Sequence, residues 1–103
     1  MRVFRSPAAA PPQNPTEPPT VTLVSTPACH LCLDAQAELA SRETHGQLTL
    51  QLIAAESTAG QALVAQHRPA MFPLVLLDGA FLTAGRLSRG KLDKALTKRR
   101  SVP

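Results

Sequence analysis

The chain has 103 residues, enough for one domain around a single core. It carries a net charge of +4, two cysteines, three Phe and neither Trp nor Tyr. Two cysteines are too few for a disulfide-stapled scaffold, three aromatic side chains are too few for base stacking, and no apolar run approaches the roughly 20 residues that span a bilayer. A small, basic, single-domain protein is expected, with neither nucleic acid nor membrane among its partners.

Residues 1–19 hold six of the ten prolines with Ala, Gln and Asn between them, and so offer little to bury. They read as a disordered Pro/Ala-rich N-terminal extension. Arg2 and Arg5 precede any acid, faintly like an organelle transit peptide, but Pro7, Pro11, Pro12 and Pro15 break the amphipathic helix such a peptide needs. The continuous apolar centre of a secretory signal is also missing, and the protein is expected in the cytoplasm.

The domain proper is expected over residues 20–100, with a flexible C-terminus at 101–103. Val21, Leu23 and Val24 form a short buried strand closed by Ser25-Thr26-Pro27. A helix follows, with Leu31, Ala35 and Leu39 on one stripe, Cys32 beside it, Glu38 and Arg42 paired outside, and Gly46 as terminator. Leu48, Leu50 and Leu52 alternate with Thr49, Gln51 and Ile53 as in a strand near a sheet edge. Thr58 and Gln61 have capping-box spacing, so a second, brief helix runs to Arg68, where Pro69 disfavours helical geometry. Leu74 to Leu77 is continuously apolar, as in a strand buried on both faces, and Asp78-Gly79 turns it into a hairpin with Phe81-Leu82-Thr83. Ser88 caps a last helix with Leu92, Ala95 and Leu96 inward and Lys91, Lys94 and Lys98 outward, the charges from Lys91 to Arg100 forming a solvated face. The order β-α-β-α-β-β-α demands one parallel crossover and one antiparallel hairpin, hence an α/β fold with a mixed four-stranded sheet flanked by helices.

Cys29 and Cys32 fall where the first strand gives way to the first helix. A disulfide across so short a loop removes little unfolded-state entropy, so the pair makes a poor brace and a plausible reactive site. Helix-start amides favour a thiolate on the first sulfur, and His30, as imidazolium or hydrogen-bond donor, strengthens that bias and makes the pair more oxidising. Zinc needs four ligands; only His30, His45 and His67 could join the sulfurs within one chain, at spacings of no common zinc motif. No metal ligand set is assigned, and His45 and His67 read as surface residues near helix ends. A metal or iron-sulfur cluster shared between two chains, or a non-catalytic adaptor role, is the alternative to thiol chemistry.

The element order, Ser25-Thr26-Pro27-Ala28-Cys29-His30-Leu31-Cys32, Met71-Phe72-Pro73 and the Asp78-Gly79 hairpin leading to Gly85 together resemble the glutaredoxins and the wider thioredoxin fold. Cys-His-Leu-Cys is similar to a group of small bacterial glutaredoxin-like proteins. The resemblance implies that Cys29 is the nucleophile and Cys32 the resolving thiol. It also implies a cis Pro73 facing the cysteines, with Pro27, Phe72 and Pro73 toward the substrate and the Phe72 backbone able to pair with an extended chain. It implies no bound cofactor, and a monomer acting on protein or small-molecule disulfides.

Thr26 stands where many glutaredoxins have a lysine, Met71-Phe72-Pro73 replaces their Thr-Val-Pro, and Ala84-Gly85-Arg86 with Ser88 replaces their Gly-Gly and capping Asp. In that family these positions hold the charged ends of glutathione; the resemblance makes Thr26, Gly85 and Arg86 the candidate contacts to a glutathione or substrate moiety, and the loss of the lysine and the acid weakens the case for glutathione as the reductant. Glutathione and thioredoxin reductase both stand as the reductant, the latter by similarity to glutaredoxin-like donors of ribonucleotide reductase.

Overall fold

Each change of periodicity along the chain becomes a change of element. A computed structural model describes residues 18–101 as β1 (Thr20–Ser25), α1 (His30–Thr44), β2 (Thr49–Ala54), α2 (Thr58–His67), β3 (Leu74–Leu77), β4 (Ala80–Ala84) and α3 (Arg89–Ser101). Apart from Pro18 and Pro19, the expected N-terminal extension lies outside the described residues, as do Val102 and Pro103. Pro19 itself is buried and its carbonyl accepts the Thr49 amide at 2.8 Å, so the sheet's hydrogen bonding begins one residue before β1.

The sheet order is β2-β1-β3-β4, with β1 and β2 parallel and the other pairs antiparallel. The mixed sheet expected from the element order is therefore the sheet observed. Alternation along the central strands separates two cores. Val21, Leu23 and Val75 pack with Ala35 and Leu39 of α1 and Leu92 and Leu96 of α3. Val24, Leu74 and Leu76 face the other way and receive Leu63 and Val64 of α2.

β2 lies at the edge, as its pattern implies, but its leucines are not equally covered. Leu48, just before the strand, is buried, whereas Leu52 is 51% exposed because no element closes the outer side of that edge. The Leu50 amide there donates to the Glu43 carboxylate at 2.9 Å, which satisfies one group of the edge. Opposite, β3 is central and dry, and the turn after it uses positive φ at Asp78 (50°) and Gly79 (86°), the geometry of a tight hairpin. Asp78 also joins distant parts: its Oδ1 accepts the Thr20 amide at 3.0 Å and its Oδ2 accepts Arg99 Nε at 2.8 Å. Arg99 is thus not part of a purely solvated face.

The cap of α2 sits one residue before the expected Thr58. Ser57 Oγ accepts the Gly60 amide at 3.0 Å, while the Gln61 side chain donates to the Glu56 carbonyl. Ser57 wins because its extended backbone aims the hydroxyl along the helix axis, and Gly60 lets the first turn approach the end of β2. α2 ends at His67 with Arg68 in the left-handed region (φ 47°), ahead of Pro69. His67 is not a simple surface residue: it is half-buried, its ring lies 6.4 Å from Phe81, and its buried Nε2 has no hydrogen-bond partner among the described residues.

Candidate active site

The site forms where β1 hands the chain to α1. Thr26 is half-buried, Pro27 and Ala28 are exposed in a tight turn, and Ala28 adopts a left-handed backbone (φ 54°). That conformation costs a β-carbon-bearing residue about 1 kcal/mol or more. Nothing about an alanine signals it, and this detail was not legible beforehand. The turn delivers Cys29 as the N-cap of α1, with extended φ and ψ of −109° and 108°.

Cys29 then does what a capping serine would do. Its Sγ accepts the Cys32 amide at 3.1 Å, and its carbonyl accepts the Leu33 amide at 3.1 Å to open the helix. Cys29 and Cys32 are joined as a disulfide, with Cα atoms 5.1 Å apart. The two sulfurs are not equivalent. Cys29 is half-exposed, whereas Cys32 is 4% exposed and belongs to the buried stripe with Ala35 and Leu39, while Leu31 is only half-buried. The stripe is therefore turned slightly from the expected Leu31-Ala35-Leu39 line, and it carries Cys32 inward.

Sheet register brings the second half of the site to the same end. Ser25 pairs with Ala54, Val24 stands opposite Leu74 in the antiparallel β1/β3 ladder, and Leu74 stands opposite Ala84. The chain before β3 therefore leaves beside the chain after β1. The Phe72-Pro73 peptide bond is cis, Pro73 is buried, and its carbonyl accepts the Gly85 amide at 2.9 Å. Phe72 is half-buried, and its backbone N–H and C=O have no partner among the described residues.

Gly85 is buried with φ 94°, and Arg86 beside it is exposed. Val24 stands opposite Leu74 and the Gly85 amide is tied to the Pro73 carbonyl, so Thr26 and Arg86 lie toward the same end of the sheet. Arg86 and Leu31 line an open groove between α1 and the β4-α3 turn. His30 is exposed as the first residue of α1.

Along α1, away from the sulfurs, Glu38 accepts from Arg42 Nε at 2.8 Å and Arg89 Nε at 2.9 Å, and Arg42 also meets Asp93. The Arg42 hydrogen bond, opposed by burial and aided by Arg89, holds the Glu38 carboxyl below the usual carboxylate range. Burial alone would lower Arg42, but its hydrogen bonds to Asp93 and Glu38 outweigh it and raise the guanidinium above its ordinary value. This network fastens α3 to α1 beside the site. Only the Glu38–Arg42 pair, four residues apart, was visible in the sequence.

Among the described residues no group of three His, Cys, Asp or Glu side chains is placed to hold a metal ion, and no helix is long and apolar enough to cross a membrane. The sheet and its helices form an α/β protein of thioredoxin-like fold, with a Cys-x-x-Cys disulfide at the start of its first helix. Among solved structures, an uncharacterised thioredoxin-like protein from Clostridium perfringens aligns with a TM-score of 0.62 at 19% identity, over 79% of this chain and 70% of that one. At that identity the likeness establishes the fold. No protein-family model and no curated protein matches the sequence.

Proposed function

We propose that the protein is a dithiol-disulfide oxidoreductase of glutaredoxin-like type, working as a cytoplasmic monomer on protein or small-molecule disulfides. The observation that carries this reading is the asymmetry of the pair: Cys29 is half-exposed and its sulfur accepts the Cys32 amide, while Cys32 is buried one turn in. In the reduced protein the same amide and the helix start favour a thiolate on Cys29. That thiolate attacks one sulfur of a substrate disulfide and expels the other as a thiol, leaving a mixed disulfide on Cys29. Cys32 then attacks the Cys29 sulfur, releases the second substrate thiol, and forms the Cys29–Cys32 disulfide, so one disulfide is reduced as one dithiol is oxidised.

The free N–H and C=O of Phe72 offer an extended substrate chain two hydrogen bonds beside Pro73, and the exposed Pro27 is a further substrate-facing residue. Thr26, Gly85 and Arg86 contact the rest of the substrate or a glutathione moiety, Arg86 through a carboxylate. His30 favours the Cys29 thiolate, so His30→Ala slows alkylation of Cys29 at neutral pH; an unchanged rate would remove His30 from the mechanism. Glutathione or thioredoxin reductase returns the electrons, and no bound cofactor enters the cycle.

The test is reduction of insulin and of hydroxyethyl disulfide by the purified protein, with glutathione or with thioredoxin reductase and NADPH. Turnover with one of them is expected and names the reductant. Cys29→Ser abolishes turnover, and Cys32→Ser accumulates mixed disulfides on Cys29. Silence with both reductants, or full activity in Cys29→Ser, refutes the reading and leaves a non-catalytic thioredoxin-fold module.

A further inference from the structure

Met71 is one of the few large apolar side chains left in water, 54% exposed, and it occupies the short segment that leads into Phe72 and Pro73. Its position is nonetheless defined. A β-carbon placed on Gly85 would meet Met71 Cβ and Sδ at 3.4 Å and Cε at 3.7 Å, so the thioether lies across the bare backbone of that glycine. Gly85 in turn is tied to Pro73 by its amide. The side chain is seated on the sheet end at one side and open to solvent at the other, next to a backbone whose N–H and C=O await partners.

An unpaired peptide unit points to an extended polypeptide, and the exposed thioether beside it points to the residue that chain would lay down there. Methionine suits this task because its unbranched, polarizable side chain adapts to differently shaped apolar partners. We infer that Met71 is a specificity-determining residue, its thioether forming an apolar subsite for the side chain that flanks the cysteine of a polypeptide disulfide. The inference rests on the oxidoreductase reading and adds to it the substrate class: extended chains with an aliphatic residue beside the cysteine.

Two peptides that differ only in that flanking residue, Leu or the similarly sized Asn, test the inference, each with its cysteine disulfide-linked to thionitrobenzoate. The Cys29 thiolate of the pre-reduced protein attacks the peptide sulfur and releases the coloured thionitrobenzoate, so no external reductant is needed. The wild-type second-order rate constant is expected to favour the Leu peptide by about tenfold, the ratio for burying roughly half of each of two aliphatic side chains. Met71→Gln, which keeps the length over Gly85, brings the two rates together by slowing only the Leu peptide, and Met71→Leu keeps the preference. Equal rates in the wild type, or an unchanged ratio in Met71→Gln, overturns the inference while the oxidoreductase reading stands. If neither peptide releases thionitrobenzoate with the wild type, both fall together. Melting temperatures within about 2 °C of wild type show that the variants are folded.

Discussion

Gly60→Ala sets two effects of opposite sign against each other. Gly60 lies in the first turn of α2, where alanine is the better helix former by about 1 kcal/mol, so propensity alone predicts a more stable protein. The tertiary structure predicts the reverse. A β-carbon at residue 60 would overlap the Ala54 carbonyl oxygen and come within 2.8 Å of both the Ala54 carbonyl carbon and the Ala55 Cα. All three are backbone atoms, so no rotamer change relieves the clash, and the start of α2 must move away from β2. That movement strains the Ser57 cap on the Gly60 amide, worth about 1 kcal/mol, and pulls at Leu63 and Val64 where they pack on Val24, Leu74 and Leu76. Overpacking of this kind costs about 1–3 kcal/mol, so with the cap it exceeds the propensity gain and leaves a net loss of about 2 kcal/mol. For a domain this small the melting temperature should fall by roughly 8–16 °C. The measurement is urea and thermal unfolding of the oxidised protein, followed by far-ultraviolet circular dichroism because the chain has neither Trp nor Tyr. A higher urea midpoint would show that α2 does not approach β2 this closely.

Two further outcomes test the connections around the site. Asp78→Ala removes the acceptors of the Thr20 amide and Arg99 and places alanine at positive φ, so a loss of about 2–3 kcal/mol is expected in urea unfolding. Asp78→Asn, which tolerates that backbone and keeps one acceptor, should lose about half as much; equal losses would remove the backbone argument. Glu38→Gln breaks the Arg42 and Arg89 pairs. A carboxylate held below its ordinary range stabilises the fold above that range and loses the contribution as pH falls through its folded value. The variant should therefore be less stable than wild type by about 1 kcal/mol at pH 7, with the difference closing as pH drops below about 4.5. A gap that stays constant from pH 7 to pH 3 would show that shape, not charge, makes Glu38 useful.

Much of the site was readable because its signals are local. Cys29 and Cys32 announce themselves by spacing, and their position at a helix start follows from the strand before and the periodicity after, both confined to a few neighbouring residues. The Asp78-Gly79 turn, the Ser88 cap, whose Oγ accepts the Lys91 amide at 3.2 Å, and the all-apolar β3 were equally plain. What was missed depends on residues far apart in the chain. Arg99 looked like one more cation on a lysine-rich helix until the fold brought it to Asp78, 21 residues earlier. Arg89 meets Glu38 from 51 residues away. Ser57 rather than Thr58 caps α2, because two adjacent hydroxyls look alike until the backbone direction is known.

The sequence by itself therefore determined the elements, their order, the mixed sheet they require, and the Cys29/Cys32 pair at the start of the first helix. These follow from hydrophobic period, turn chemistry and covalent spacing, which act over one or two turns of chain. Only the tertiary structure decided that Arg99 reaches Asp78, that Gly60 has no room for a side chain, and that Met71 rests on Gly85. The reason is physical: burial, a missing hydrogen-bond partner and close backbone approach are properties of packed neighbours, and strand register alone sets which neighbours those are.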